Sequence, residues 1–422
     1  MYRLGRVSVV MVMLLLALSG MASAAKTVLT VADWWNPQSA DPTTSDMAHW
    51  WAFIKEDFEK RNPDVEIEYM WYSGTADARQ KLVVSYAGGI APDVTQVSVA
   101  FVRELHDLGI LMPLNKYVER DGQAIWRDLF PVSQMYATKD NVIYAMPHDI
   151  QSAGLVYDID AFLYAGLDPE PFAIRNWDAL REAVKKLTLR DGDRVTRYGF
   201  SGSMNGGQAI SYWVSANGGS LYSSDLREIT LNTPQARGAV EFLLELRDGL
   251  GVVGGAIPEG TSAMASNYGN FAGPSLKRSR PEMNFRFTSM PPGPMGKDRS
   301  TVTWSNMVAV LNSTKNPELA WKYVKYYTCA ETRAQMVNIL TRLVPLRSVY
   351  SSEAWRRVVR ERPYMDVFGH MAEVGALWPF VGNASAVPIA AQHINSIFSG
   401  AVSPSAGLEQ AALQATAELL RQ

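Results

Sequence analysis

The sequence predicts an α/β protein built as two lobes, each a mainly parallel sheet flanked by helices. Three observations support this. A chain of 422 residues is longer than a single hydrophobic core usually accommodates. Strand-like and helical patterns alternate from residue 27 onwards. Breaks near residues 146–153 and 291–301 indicate that the chain crosses between lobes there, so the crossing segments would form a hinge.

The first elements alternate in the order strand, helix, strand, helix, strand. Residues 27–32 form an apolar β-branched run, 65–71 alternate as a strand, and 94–97 form a third strand. The first helix carries apolar side chains at steps of three and four: Met47, Trp50, Trp51, Ile54 and Phe58. The second helix covers 75–87 and ends at a pair of glycines. This spacing predicts right-handed βαβ units and a mainly parallel sheet.

The later elements follow similar signals. Strands are expected at 141–146, 153–157, 197–201 and 301–311, and helices at 208–216, 234–246 and 408–420. Asn176 is a suitable N-cap for a helix with Trp177, Leu180, Val184 and Leu187 on one face. A Pro/Gly-rich connection covers 281–297, and a further helix starts after Asn316.

Composition excludes several classes of protein. Hydrophobic residues make up 47% and charged residues 19%, which indicates a globular chain rather than a disordered one. The formal charge of −2 gives no electrostatic reason to expect nucleic acid or an anionic membrane as a partner. A single cysteine excludes an intrachain disulfide. The aromatic content, with 12 Trp and 18 Tyr, is the feature that stands out.

The N-terminal segment predicts export. Arg3 and Arg6 precede an apolar stretch at 7–18, and Ala22-Ser23-Ala24 has the pattern of a cleavage site. Residues 1–24 are therefore expected to be a cleaved signal peptide that sends the protein to the periplasm. No cysteine follows the site, so no lipid anchor is expected, and no later apolar stretch is long enough to span a bilayer.

Motifs for catalysis and metal binding are missing from the sequence. It contains no G-x-S-x-G, H-E-x-x-H or C-x-x-C, and its five histidines lack metal-ligand spacing. No metal site or cofactor is expected. Paired carboxylates remain possible, because hydrolase pairs are set in space rather than in sequence. Asp33, Asp93 and Asp149 each lie at the end of a predicted strand, where a lone carboxylate is more often a cap or loop residue than a site residue.

Aromatic residues beside amides, hydroxyls or carboxylates recur at strand ends. In open α/β sheets, ligands bind outside the carboxyl ends of the strands. Examples occur at 33–36, 71–73, 96–98, 148–151, 212–219, 267–270 and 303–306. Ring faces pack on the C–H face of a sugar, and planar polar side chains bond its hydroxyls. The pattern therefore predicts a site for a polyhydroxylated ligand.

A family resemblance rests on motifs in a fixed order. They are FEKRNPDVEI at 58–67, APDV at 91–94, LHDLG at 105–109, YAMP at 144–147, GLVY at 154–157, NWDAL at 176–180, WVSANGG at 213–219, TPQA at 233–236 and KNPELAW at 315–321. Together they resemble the family-1 extracellular solute-binding proteins of ABC importers, the group that contains maltose-binding protein. The resemblance runs from about residue 28 to the C-terminus.

This resemblance implies the two-lobed periplasmic-binding-protein fold. The first lobe would comprise residues 26–150 and 300–344, and the second 151–299 and 345–422. A sugar or oligosaccharide would bind in the cleft between them, and the closed protein would deliver it to a pair of membrane permease subunits. The position near Gln151 departs from the maltose-binding pattern, because it is an amide rather than a carboxylate, and 387–399 lack the expected tryptophan. The identity of the sugar is left open.

The predicted protein is a monomeric binding protein without catalytic activity. Stacking platforms are expected at Trp34, Trp213, Tyr268 and Trp304, and hydrogen-bonding groups at Asn36, Gln96, Asp149, Gln151, Asn270 and Asn306. Trp35, Tyr72 and Ser98 complete the predicted site, and Arg342 would bind a hydroxyl or an acidic group of the ligand. Two alternatives stay open: an exported carbohydrate-active enzyme, a hydrolase or lyase using Asp33, Asp93 or Asp149, and a binding protein for a non-sugar solute.

Overall fold

Two five-stranded sheets form the framework of the protein. The computed structural model describes residues 26–37, 44–202, 207–377 and 386–421. The predicted signal peptide, residues 1–24, lies outside the described residues. Within the described ranges, no helix is both long and apolar enough to cross a membrane.

The strands, in chain order, are β1 Thr27–Asp33, β2 Val65–Trp71, β3 Val94–Ser98, β4 Thr138–Lys139, β5 Val142–Ile143, β6 Met146–Pro147, β7 Gln151–Asp158, β8 Leu189–Asp191, β9 Arg194–Arg197, β10 Met264–Gly269, β11 Phe285–Thr288, β12 Thr301–Trp304, β13 Asn306–Val310 and β14 Gly375–Leu377.

The helices are α1 Thr44–Arg61, α2 Thr75–Ala87, α3 Val102–Asp107, α4 Asn115–Tyr117, α5 Gln123–Asp128, α6 Pro131–Ala137, α7 Ile159–Tyr164, α8 Trp177–Leu187, α9 Gly207–Ala216, α10 Pro234–Leu244, α11 Ala272–Ser279, α12 Pro317–Thr328, α13 Ala330–Leu340, α14 Arg347–Tyr350, α15 Glu353–Glu361, α16 Phe368–Glu373, α17 Ala386–Phe398 and α18 Pro404–Leu419. Shorter π-helical turns lie at Val118–Gly122 and Glu245–Gly249, and 3-10 turns at Ile257–Glu259 and Pro363–Met365.

The first sheet has the strand order β2-β1-β3-β13-β6. Strand β1 pairs in parallel with β2 and β3, as the alternation of strands and helices predicted. Strand β13 then runs antiparallel to both β3 and β6. The carboxyl ends of β1 and β3 therefore meet the start of β13 at one edge of this sheet.

The second sheet is built around β7 and has the order β10-β7-β12-β14, with β11 also paired to β7. Strands β10, β11 and β12 all run antiparallel to β7, whereas β14 runs parallel to β12, and single parallel bridges join Tyr198 to Ser262 and Ser201 to Ala265 of β10. The pairing around β7 is therefore antiparallel, and the second sheet is mixed where a mainly parallel one was expected. The long strand β7 enters from the first lobe, and the segments that return along it run in the opposite direction.

The run at 301–311, predicted as one strand, is divided between the two sheets. Strand β12 belongs to the second sheet and β13 to the first, and Ser305 lies between them. The change of sheet thus falls five residues after the predicted lobe boundary at 300. A second crossing lies between β6 in the first sheet and β7 in the second. The predicted strand at 141–146 is likewise divided, between β5 and β6.

Local signals placed several elements correctly. The Asn176 side chain accepts a hydrogen bond from the Ala179 backbone N–H at 2.8 Å, which caps α8 as predicted. Trp50 and Trp51 of α1 are 0% and 3% exposed, as expected for the inward face of that helix. These buried side chains hold α1 against the first sheet. The candidate site lies at an edge of the same sheet.

Candidate ligand-binding site

The two crossing segments run side by side between the sheets. In the second sheet Trp304 is paired with Gln151, at the point where β12 ends and β7 begins. On the first-lobe side, the His148 backbone N–H donates to the Asn306 carbonyl over 3.1 Å. Most of the predicted site residues flank these two crossings, so the structure brings together positions far apart in the sequence.

Asp149 ties the two crossings to each other. It is fully buried, and its Oδ1 accepts from the Asn306 backbone N–H at 2.6 Å, while its Oδ2 accepts from Asn306 Nδ2 at 3.0 Å. Burial raises the pKa of Asp149, and the positive charge of Arg342 opposes that rise. Both carboxyl oxygens are therefore engaged by the protein itself.

Asp33 closes the end of β1 in a similar way. Its Oδ1 accepts from the Trp35 backbone N–H at 2.6 Å, and the Gln96 amide, with its NH2 turned towards the carboxylate, donates to both oxygens. Burial raises the pKa of Asp33 well above its usual range, and the nearby Asp149 raises it further. The adjacent position Ser98 ends β3 and is paired with Asn306.

A stack of side chains leads from this edge into the first lobe. The Arg342 guanidinium carbon lies 4.6 Å from the centre of the Trp35 ring. On its other side Trp35 meets His148 edge to face, with ring centres 5.3 Å apart, and His148 meets Tyr327 at 5.2 Å. Arg333 is 0% exposed and covers the Tyr327 ring at 4.2 Å. Sequence reasoning missed His148 and Arg333, because nothing local distinguishes them from surface residues.

His148 predicts how stability responds to acid. Burial lowers its pKa well below the usual range, with Arg333 and Arg342 adding to the effect. The unfolded chain takes up a proton near pH 6.5 while the folded chain does not, so stability is present above that pH and is lost as the pH falls. We expect a loss of about 1.4 kcal/mol per pH unit below about pH 6.5.

The substitution His148→Phe keeps an aromatic ring and removes the titration. Urea unfolding at about pH 7.5 and about pH 5.5 should show the variant losing about 1.4 kcal/mol less than the wild-type protein. An identical loss in both proteins would show that His148 does not control the acid response.

The second sheet contributes a bulge next to the first crossing, on the strand β10 that pairs with β7. The pairing of β10 with β7 shifts between Ser266 and Tyr268, and Asn267 adopts a left-handed backbone with φ 64°. The Tyr212 hydroxyl holds this conformation by donating to Asn267 Oδ1 at 2.7 Å. The half-buried Tyr268 follows directly, and Asn270 ends the segment with its Oδ1 buried and without a hydrogen-bond partner among the described residues.

The predicted residues divide into two groups by exposure. The half-buried group consists of Trp34, Asn36, Gln151, Tyr268, Trp304 and Arg342. The buried group consists of Trp35, Tyr72, Gln96, Ser98, Asp149, Trp213, Asn270 and Asn306. Phe271, which was not predicted, is 55% exposed and lies with its ring centre 6.2 Å from that of Trp304.

Trp213 is the one predicted stacking platform that the structure contradicts. It is 0% exposed and lies inside the second lobe, with ring centres 5.7 to 5.9 Å from those of Phe200, Phe242 and Trp177. Its ring faces are covered by the core, so it cannot stack on a ligand. The sequence held the signal, because Ile210, Trp213 and Val214 share one helical face of α9.

The side chains near the crossings are aromatic rings, amides and hydrogen-bonded carboxylates. Among the described residues, no group of three or more His, Cys, Asp or Glu side chains could hold a metal ion. Asp93, a third carboxylate considered above, accepts from the Thr30 and Thr314 hydroxyls at 2.9 and 2.6 Å and so ties strands together. The half-buried aromatic rings and amides described above are groups of the kind that can pack on a sugar and bond its hydroxyls.

Comparison with known structures shows the same fold in sugar-binding proteins. The sugar-binding protein MalE from Xanthomonas citri has a TM-score of 0.79 at 18% identity, covering 94% of this chain and 98% of that one. The cyclic alpha-maltosyl-1,6-maltose binding protein from Arthrobacter globiformis has a TM-score of 0.80 at 20% identity, covering 94% and 100%. An ABC substrate-binding protein from Listeria monocytogenes in complex with cycloalternan has a TM-score of 0.71 at 17% identity, covering 93% and 99%.

These similarities confirm the two-lobed α/β fold predicted from the sequence, and at such identities they concern the fold alone. The family is shown by a separate match: residues 40–334, well over half of the chain, fit the model of the bacterial extracellular solute-binding proteins. The resemblance noted in the sequence is thereby confirmed, and the chain belongs to the bacterial extracellular solute-binding protein family.

Proposed function

We propose that this protein is the periplasmic solute-binding component of an ABC importer and that it captures a sugar or oligosaccharide between its two lobes. The observation that supports the proposal is the set of half-buried rings and amides near the paired crossings. Trp34 and Asn36 follow β1 of the first sheet, and Tyr268 and Trp304 belong to β10 and β12 of the second. We expect these side chains to line a crevice between the lobes. Its mixture of rings and planar polar groups matches the two faces of a sugar.

The mechanism follows from the division of the site. Neither lobe alone offers a full set of contacts, so a ligand makes all of them only when the lobes close on it. Moving an open–closed equilibrium from 1:99 to 99:1 requires a preference of about 10⁴-fold for the closed state, which contacts on both lobes would supply. The paired segments at Asp149 and Asn306 would act as a hinge, because they connect β6 to β7 and β12 to β13 across the two sheets.

The closed complex would then be delivered to permease subunits in the inner membrane. Export by the predicted signal peptide and action as a monomer complete this proposal.

The hydrogen bonds of the three candidate carboxylates support binding of the sugar rather than its hydrolysis. The oxygens of Asp33, Asp93 and Asp149 already accept hydrogen bonds from the protein, which leaves none of them placed as an obvious acid or nucleophile.

A thermal-shift screen tests the proposal. A saccharide at 100 times its dissociation constant should raise the free energy of unfolding by about 2.7 kcal/mol, whereas amino acids and oligopeptides should not. Chromatography of the released ligand should recover the saccharide unchanged. Stabilisation by peptides instead of saccharides would support a non-sugar solute, and recovery of a cleaved product would support an enzyme; either result overturns the proposal.

A further inference from the structure

Arg342 lies beside both crossings. Helix α13 ends at Leu340, Thr341 adopts a left-handed backbone with φ 52°, and Arg342 follows. The next carbonyl, that of Leu343, accepts a hydrogen bond from the Ile150 backbone N–H over 3.2 Å, which places this segment against the first crossing. The half-buried Arg342 guanidinium is supported from below by the Trp35 ring at 4.6 Å.

Within the part of the chain that the structure describes, the guanidinium of Arg342 makes no hydrogen bond or ion pair. Among the described residues, no carboxylate lies within 4.0 Å of its guanidinium and no group accepts a hydrogen bond from it. Asp33 and Asp149 are the nearby acids, but their oxygens accept from Trp35, Gln96 and Asn306 instead. By contrast Arg299, another partly buried arginine, donates to the Ile174 and Ser289 carbonyls at 2.6 and 2.8 Å.

An arginine held in this way is suited to an oxyanion. The guanidinium presents its N–H groups in a rigid fork that matches a carboxylate or phosphate, and stacking on a ring fixes the plane of that fork. A hydroxyl would use only one or two of these donors.

A second feature favours negative charge at the crevice. Helix α11 begins just after Phe271, whose ring contacts Trp304. Its first turn contains no acidic residue, and no side chain caps it. The positive end of this helix therefore lies next to the residue that packs on Trp304, and no acidic side chain of its first turn neutralises it.

We propose that the preferred ligand is an acidic saccharide and that Arg342 receives its oxyanion group, either a carboxylate or a phosphate. This inference rests on the proposed function and specifies its substrate class. The sugar ring would lie on Trp304 and Tyr268, and the acidic group would lie on the Arg342 fork above Trp35.

Calorimetric titration with matched pairs of ligands tests the inference. Oligogalacturonides are compared with neutral galacto-oligosaccharides of the same length, and glucose 6-phosphate with glucose. We expect an acidic member to bind at least about tenfold more tightly than its neutral counterpart, since a hydrogen-bonded charge pair contributes about 1.5–3 kcal/mol, equivalent to about 10- to 100-fold. Tighter binding of the uronate or of the phosphate identifies which oxyanion the site takes.

Variants show whether Arg342 is responsible. Arg342→Gln should weaken binding of the acidic ligand about 10- to 100-fold and change binding of the neutral ligand less than about threefold. Arg342→Lys keeps the charge but loses the planar guanidinium, so its affinity for the acidic ligand should lie between those of the wild-type protein and Arg342→Gln. Arg357→Gln, an exposed site on α15, is the matched control with the same change of charge, and it should have no effect.

Four outcomes overturn the inference. The first is that neutral saccharides bind as tightly as acidic ones or more tightly. The second is that Arg342→Gln loses the same affinity for both classes of saccharide. Either result would leave the proposed function standing and make Arg342 a hydroxyl donor or a support for Trp35. If Arg357→Gln lost as much affinity for the acidic ligand as Arg342→Gln, the effect of Arg342 would be a long-range effect of charge rather than a binding site. Failure of every saccharide to bind would remove the proposed function as well.

Discussion

Replacing Trp213 with alanine is expected to lower the free energy of unfolding by about 3–5 kcal/mol and to leave ligand affinity unchanged. Trp213 is 0% exposed and is surrounded by Trp177, Phe200 and Phe242. Its removal leaves a cavity that three aromatic neighbours cannot fill without moving. The loss should be among the largest that a single substitution in this lobe can cause.

Urea unfolding followed by circular dichroism measures the loss, and calorimetry on the folded variant measures affinity. Trp213→Phe is the control, because it retains a ring and should lose less than half as much. A fall in affinity without a fall in stability would return Trp213 to the binding site and contradict its placement in the core.

The substitution Asp149→Ala is expected to cost about 2–4 kcal/mol, because it leaves the Asn306 backbone N–H and the Asn306 amide buried without acceptors. These bonds join the two crossing segments, so ligand affinity should fall as well. Asp149 is fully buried, so its removal would weaken binding by displacing the crossing segments rather than by removing a contact with the ligand.

The control for this substitution is Asp149→Asn, which keeps an oxygen for the Asn306 backbone N–H and should lose less than about 2 kcal/mol. Unfolding and affinity are measured on both variants. An alanine variant as stable as the wild-type protein would show that the cost of burying the carboxyl equals the value of its hydrogen bonds, and that the hinge does not depend on this pair.

The sequence predicted those elements whose signals are local. The cap at Asn176, the inward face of α8 and the burial of Trp50 all depend on residues within one or two turns of helix. The end of β1 at Asp33 was likewise identified as a candidate position, because strand ends in open α/β sheets can be located from hydrophobic runs.

Features that depend on distant partners could not be predicted. The run at 301–311 has the pattern of one continuous strand, and only its pairing with β7 on one side and β3 on the other divides it at Ser305. The same holds for the antiparallel second sheet, whose partners lie more than a hundred residues from β7 in the chain. Pairing of this kind is set by tertiary packing rather than by local propensity.

The candidate site was predicted in outline and corrected in detail. Aromatic residues beside turns read alike whether they lie in a cleft or in a core, which is why Trp213 and Trp304 were grouped together. The supporting stack behind Trp35 was missed because His148 and Arg333 are polar residues that only tertiary contacts can bury.

The central claim is that one sugar is held by both lobes at the paired crossings. A crystal structure of the protein with the saccharide that stabilises it most tests this directly. We predict density for the sugar between the sheets, in contact with Trp34 of the first lobe and with Trp304 and Tyr268 of the second. Density confined to one lobe, or on a surface away from residues 149–151 and 304–306, would contradict the claim.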